Sequence, residues 1–301
     1  MGPLKDSGIA MFNRPKGSFA KIARVGPDQI ALNNSLHAFG IDDRNAIMRV
    51  VEDVITKGTA HPGYGGFYRA TARQRPDGEP AARVMVSPGS LRSGVALTIT
   101  AIGGNDTVEG LSVYFSDGVE YRFMLDEITL SAARGMGVLH GSIADGVPIS
   151  VLEPTFAMDR CWHGAGSVHQ ILLYAVAHAI DLAPMPDLPA PHLPSGASPH
   201  SGTFAFADDF TALFPALEGP ANLCGIQGVI KEVKPYELPV LGQNVTSLRM
   251  TMAKELAMFG KPLDVMVFVS DGVLGTARPE VGRQCYIEGS LCARLWLANV
   301  E

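Results

Sequence analysis

The sequence predicts a β-rich α+β protein made of two units on either side of a proline-rich segment. Three observations lead there. Apolar and polar residues alternate along most of the chain, the pattern of half-buried strands. The 33 glycines and 21 prolines favour turns over long helices. Only three stretches, one of them short, carry a helical pattern. At 301 residues, two domains are the expected number. With 47% apolar and 18% charged residues the chain can fill a sizeable core and is not disordered as a whole.

In the N-terminal unit, residues 18–183, Phe19–Val25 and Gln29–Leu32 flank Gly26-Pro27-Asp28 and read as a hairpin. An amphipathic helix follows. Ile47, Val50, Val51, Val54 and Ile55 recur on one face, Asp42 and Asp43 can cap its start, and Lys57-Gly58 closes it. From Gly66 the period drops to two. Phe67–Arg73 and Ala82–Val86 flank the turn Arg75-Pro76-Asp77-Gly78, and Val95–Ala101 is a further strand. Ser116-Asp117-Gly118 joins Val108–Phe115 to Val119–Leu125 as a hairpin, and Asp145-Gly146 joins Val138–Ala144 to Val147–Leu152. Val168–Ile180 is apolar almost all round and reads as a buried helix that ends the unit. The antiparallel sheet thus carries one amphipathic and one buried helix.

Residues 184–202 hold six prolines among Ser, Gly and Ala and read as an extended linker. In the C-terminal unit, residues 203–301, Asp208 and Asp209 can cap a short helix carrying Phe210, Leu213 and Phe214. Five strands are then expected: Gly225–Val233, Val245–Ala253, Leu263–Val269, Gln284–Gly289 and Leu291–Leu297. Gly228-Val229-Ile230-Lys231-Glu232-Val233 and the turn Pro279-Glu280-Val281-Gly282 leading into Cys285-Tyr286-Ile287-Glu288-Gly289 carry a resemblance. Over roughly residues 222–300 the chain resembles an OB-fold, which implies a five-stranded barrel. Gly272, Gly275 and Pro279 leave no room for the long helix expected between its third and fourth strands.

The charge is uneven. It is +3 over residues 1–110, −9 over 111–221 and neutral from 222 onward, within a total of −6. Nucleic-acid binding depends on Lys and Arg neutralising phosphates, so it is disfavoured. Cys161, Cys224, Cys285 and Cys292 form no C-x-x-C pair and read as free thiols in a reducing compartment. The start of the chain lacks a secretory apolar run and no stretch has the length of a membrane span, which predicts a soluble cytoplasmic protein.

No catalytic signature is present, and no cofactor or metal site is expected. Asp159, Cys161 and His163 are the candidate catalytic residues, because a thiolate beside an imidazole is a nucleophile. His169 and His178, nine residues apart on the predicted helix, cannot share a metal ion. Arg69, Arg73 and Arg75 form a possible anion-contact stripe, against the simpler reading of a solvated sheet face. Tyr236, Phe268 and Tyr286 could stack bases but are expected to be core. The sequence points to a non-catalytic binding or assembly protein that contacts a protein partner or copies of itself. The alternatives are a hydrolase with its site near Asp159, Cys161 and His163, and single-stranded nucleic-acid binding by the C-terminal unit.

Overall fold

The computed structural model describes residues 21–24, 34–62, 81–86, 93–102, 105–130, 136–143, 146–156, 166–182, 188–189, 203–204, 210–216, 221–253 and 262–295. In chain order the elements are strand β1 (Lys21–Arg24), helices α1 (Asn34–His37) and α2 (Arg44–Lys57), and strands β2 (Thr59–Pro62), β3 (Ala81–Val86), β4 (Ser93–Ile102), β5 (Asn105–Phe115), β6 (Val119–Leu130), β7 (Gly137–Ile143), β8 (Val147–Glu153) and β9 (Val168–Asp181). Then come β10 (Leu188–Pro189), β11 (Thr203–Phe204), β12 (Ala212–Pro215), β13 (Leu223–Leu238), a 3-10 turn at Pro239–Leu241, β14 (Gln243–Ala253), β15 (Leu263–Ser270), helix α3 (Asp271–Leu274) and β16 (Gln284–Leu295). Among the described residues, no helix is long and apolar enough to cross a membrane.

Local chemistry explains the elements that the sequence announced. Asp43 caps α2 by accepting the Ala46 N–H at 2.8 Å, and the Gly58 N–H closes it on Val54 O. The helix buries Val51 and Val54, whereas Ile55, expected on the same face, is 49% exposed. β7 and β8 pair as the predicted hairpin, from Ile143–Val147 at the turn to Gly137–Glu153.

Four expectations are overturned. Val168–Ile180 is not a helix but most of β9, whose middle, Leu173–Ala177, is buried on both faces. A strand covered on both sides needs apolar residues at every position, which mimics the composition of a buried helix. Ser116-Asp117-Gly118 is a corner rather than a hairpin turn: β5 pairs with β4 in a four-stranded sheet, while β6 pairs with β1, β7 and β9 in a ten-stranded one. Gly118 is needed there, because a Cβ would sit 2.8 Å from Leu173 O. Leu213 and Phe214 lie in β12, not in a helix. Residues 284–295 form one continuous strand, where two were expected. The first predicted hairpin and the Phe67–Gly78 turn region fall largely outside the described residues.

The large mixed sheet closes on itself twice. One circuit of hydrogen-bonded strands runs β6–β7–β8–β16–β9 and back to β6. The other runs β13–β14–β15–β9–β16 and back to β13. Each ring is an antiparallel three-strand meander completed by the long fourth strand of its own half and the fourth strand of the other half. The strand after the meander is parallel in both cases: β8 meets β16 at Leu152–Cys292, and β15 meets β9 at Phe268–Val176. The last four strands therefore close only with β9, which comes from before residue 184.

The registers of the two rings match residue by residue. Met124–Val168 in the first ring corresponds to Val229–Gln284 in the second, and Val119–Leu173 to Cys224–Gly289. Both first strands carry a bulge at the same place, between Leu125 and Glu127 and between Ile230 and Glu232. The residue before each bulge exchanges two backbone bonds with the approach to the fourth strand. Leu125 N–H donates to Ser167 O (3.0 Å) and Gly166 N–H to Leu125 O (2.8 Å), while Ile230 N–H donates to Arg283 O (2.9 Å) and Gly282 N–H to Ile230 O (2.8 Å). Under this correspondence the antiparallel pair Ala175–Leu291 maps onto itself, so a pseudo-two-fold axis passes between β9 and β16 at that point.

Two cores result. The first fills the rings, with Phe123, Leu125, Ile171, Leu173, Ile226, Ile230, Val265 and Ile287 inside. The second lies between the outer face of the shared strands and the layer formed by β4, β5, α1 and α2. At its centre Phe115 stacks on Phe268 at 3.8 Å with 6° between the planes, and Tyr174 meets both edge-on.

Candidate functional site

The second core covers the outer face of β9 and β16 only as far as Val176 and Cys292. Beyond that edge no described element covers the same face across β9, β16, β13 and β12. It forms an open cleft of about 740 Å³, lined by His178, Phe214, Pro215, Ala216, Leu223, Cys224, Gly225, Tyr286, Glu288 and Gly289. Its volume lies in the range of ligand-binding clefts, and its walls are mostly apolar.

Three sequence features hollow it out. Gly225 lies under the Tyr286 ring, where a Cβ would come 2.5 Å from the phenol oxygen. Gly289 lies against β9, where a Cβ would come 2.5 Å from Val176 O. The third is a bulge in β9: Ala177 pairs with Gly289 and Ala179 with Glu288, so His178 is the extra residue between them. Bulges redirect side chains, and here the imidazole is turned beside Ser290, with Nε2 2.9 Å from the serine Oγ. On the far wall, β12 holds Phe214 opposite Gly225 through its pairing with β13.

The electrostatics of the cleft favour neutral groups. Burial lowers the pKa of His178, and the nearby His37 lowers it further, so the ring is neutral at pH 7. Burial pushes the Cys224 thiol up to about 12, and the thiolate needed for nucleophilic attack is absent near neutral pH. Burial and the neighbouring Glu288 and Cys224 raise the Tyr286 phenol, which therefore stays protonated. Glu288 is exposed and is the carboxylate among the described residues that line the cleft.

A hydroxyl beside a neutral imidazole resembles the start of a nucleophile–base pair. Ser290, however, is only 4% exposed and is not among the residues that line the cleft. The serine instead holds the bulged histidine in place. Comparison with known proteins adds no identity. No family model, curated protein or solved structure matches this chain.

Asp159, Cys161 and His163 lie outside the described residues, as do Arg69, Arg73 and Arg75. Among the described residues, no group of His, Cys, Asp or Glu is placed to hold a metal ion. His169 and His178 lie on one strand and bond to different serines, His169 to Ser167 and His178 to Ser290. Of the three candidate stacking aromatics, Phe268 is fully buried under Phe115 and Tyr236 packs edge-on against it. Tyr286 alone of the three reaches the cleft. Cys285 and Cys292 are buried free thiols, and burial pushes Cys285 up to about 12. The sequence reading missed the cleft because its residues come from four strands whose adjacency depends on the ring closures. The local signals that were available are glycines inside strands, Gly225 and Gly289, which mark close backbone approach.

Proposed function

We propose that this chain is a non-catalytic binding protein whose two rings are OB-like barrels and whose cleft receives part of a protein partner. The observation that carries the reading is the interruption of an apolar sheet face at the edge of the second core. Phe214, Pro215, Leu223 and Tyr286 line a concave surface there, with Glu288 and His178 as its polar groups. Concave apolar surfaces with few polar groups are where proteins take up ligands and partner side chains. The chemistry of the cleft supports binding over catalysis, since the thiol is held protonated and the serine is buried. Nucleic acid fits poorly, because the carboxylate of Glu288 would face the phosphates.

A photo-crosslinking amino acid at position 214, in the cells that make the protein, tests this reading. The expected result is a discrete protein adduct that is missing when the same amino acid stands at the exposed position 278. Identical adduct patterns from both positions, or none from either, would refute it.

A further inference from the structure

The pseudo-two-fold axis supplies information about the cleft that the cleft alone does not. It relates His178 to Arg294, since both lie three residues along their strands from the self-paired Ala175 and Leu291. The registers on the two sides agree through Tyr174–Cys292 and Val176–Ser290, and through Leu173–Ala293 and Ala177–Gly289. They part at the His178 bulge.

The surroundings of the two positions differ. Arg294 is covered by this chain's own β5: its guanidinium lies 4.9 Å from the centre of the Tyr114 ring, and it also bonds to Ser116 Oγ. Tyr114 is in extended backbone at the end of a strand and is only 5% exposed, so the seat is filled by an aromatic residue on an extended segment. At His178 the corresponding face opens into the cleft.

Resting on the binding role proposed above, we infer that the cleft takes an extended segment of a partner protein through one aromatic side chain laid over His178, as Tyr114 is laid over Arg294. The residues suit this occupant. Phe214, Pro215 and Leu223 offer an apolar wall, and Tyr286 a second aromatic surface. The neutral imidazole packs against a ring without the desolvation cost that a charged group such as Arg294 carries. Glu288 can accept a hydrogen bond from a donor beside the aromatic residue, and it disfavours an acidic neighbour.

The test is panning of a phage-displayed random peptide library on the full chain, with the Leu223→Arg chain as counter-target. Leu223 is partly exposed at the cleft wall, and Phe214→Ala serves in its place if Leu223→Arg lowers the melting temperature. The inference expects selected peptides to share one aromatic position. Replacing that residue by alanine, or using the variant chain, should weaken binding by about tenfold or more, as for an anchor side chain. Peptides that depend on Leu223 but share no aromatic position would overturn the inference and leave the binding role standing. Failure to select any peptide that discriminates the variant would count against both.

Discussion

Phe123 and Met250 fill equivalent space in the two rings from opposite strands. Phe123 stands on β6 over Gly141 of β7, where a Cβ would lie 2.6 Å from the ring; Met250 stands on β14 over Gly228 of β13, where a Cβ would lie 2.9 Å from its methyl carbon. By the matched registers Phe123 corresponds to Gly228 and Gly141 to Met250. Each ring keeps one large and one small residue at this level and exchanges which strand carries the bulk. The two sites predict related losses. Phe123→Ala should cost about 3–5 kcal/mol and Met250→Ala about 2–5 kcal/mol, since both are fully buried. Urea unfolding should show each loss in one transition, because the rings share β9 and β16. A separate early transition in either variant would contradict this.

Gly166 and Gly282 give a matched test of the backbone. Both are left-handed, with φ of 69° and 87°, and a Cβ at either would meet nothing within 4 Å. Alanine therefore adds conformational strain without a clash, about 1–2 kcal/mol at each site. Losses of similar size at both, measured by chemical denaturation, are expected. A neutral effect at one would show that its turn is not the counterpart of the other.

Tyr121 ties the first ring to an edge of the second. Its hydroxyl donates to Asp264 O and accepts from the Asp264 N–H, both at 2.8 Å, and burial raises its pKa to about 12. Asp264 is itself held by Lys231 at 2.8 Å and Arg249 at 3.1 Å. Tyr121→Phe keeps the ring and leaves both backbone groups without that partner, which should cost about 1–3 kcal/mol. Hydrogen exchange should show that the variant loses protection at Asp264 and keeps it at the neighbouring buried Val265. Unchanged exchange at Asp264 would remove the hydroxyl from the account.

Stability should fall on mild acidification. His140 sits between Thr129 Oγ1 (2.9 Å) and Ser150 Oγ (2.8 Å), and burial lowers its pKa despite the nearby Glu127; His178 is lowered as well. With both folded values below the ordinary 6.5, the unfolded chain takes up protons first. Stability is then full above about pH 6.5 and decreases as the pH falls toward the folded values. The urea midpoint should drop between pH 7.5 and 5.5, and the drop should shrink in the His140→Asn, His178→Asn double variant. An equal drop in that variant would assign the effect elsewhere.

Features set by neighbouring residues were legible in the sequence; features set by distant pairing were not. Asp43 and the spacing of Val51 and Val54 announce α2, and Asp145-Gly146 announces the β7–β8 hairpin, because those signals are complete within a few residues. The sequence of β9 has a helix-like composition because its apolar residues serve two cores at once, Ile171, Leu173 and Ala175 facing the rings and Tyr174 and Val176 the outer layer. The internal two-fold is hidden by exchanged sizes, such as Phe123 against Gly228, and by unequal connections between matched strands. The cleft inherits both difficulties, since His178 and Glu288 meet only across the axis.

The two halves interlock through β9 and β16, and a single cut between them tests this directly. A site for a sequence-specific protease, inserted between Ser195 and Gly196, allows the folded chain to be cleaved without denaturant. Because each ring lacks a strand without the other half, the two fragments should stay together on size-exclusion chromatography and elute at the volume of the uncut 31.9 kDa chain. They should part only in denaturant. Fragments that separate under native conditions, each retaining its β-sheet circular dichroism, would contradict the account.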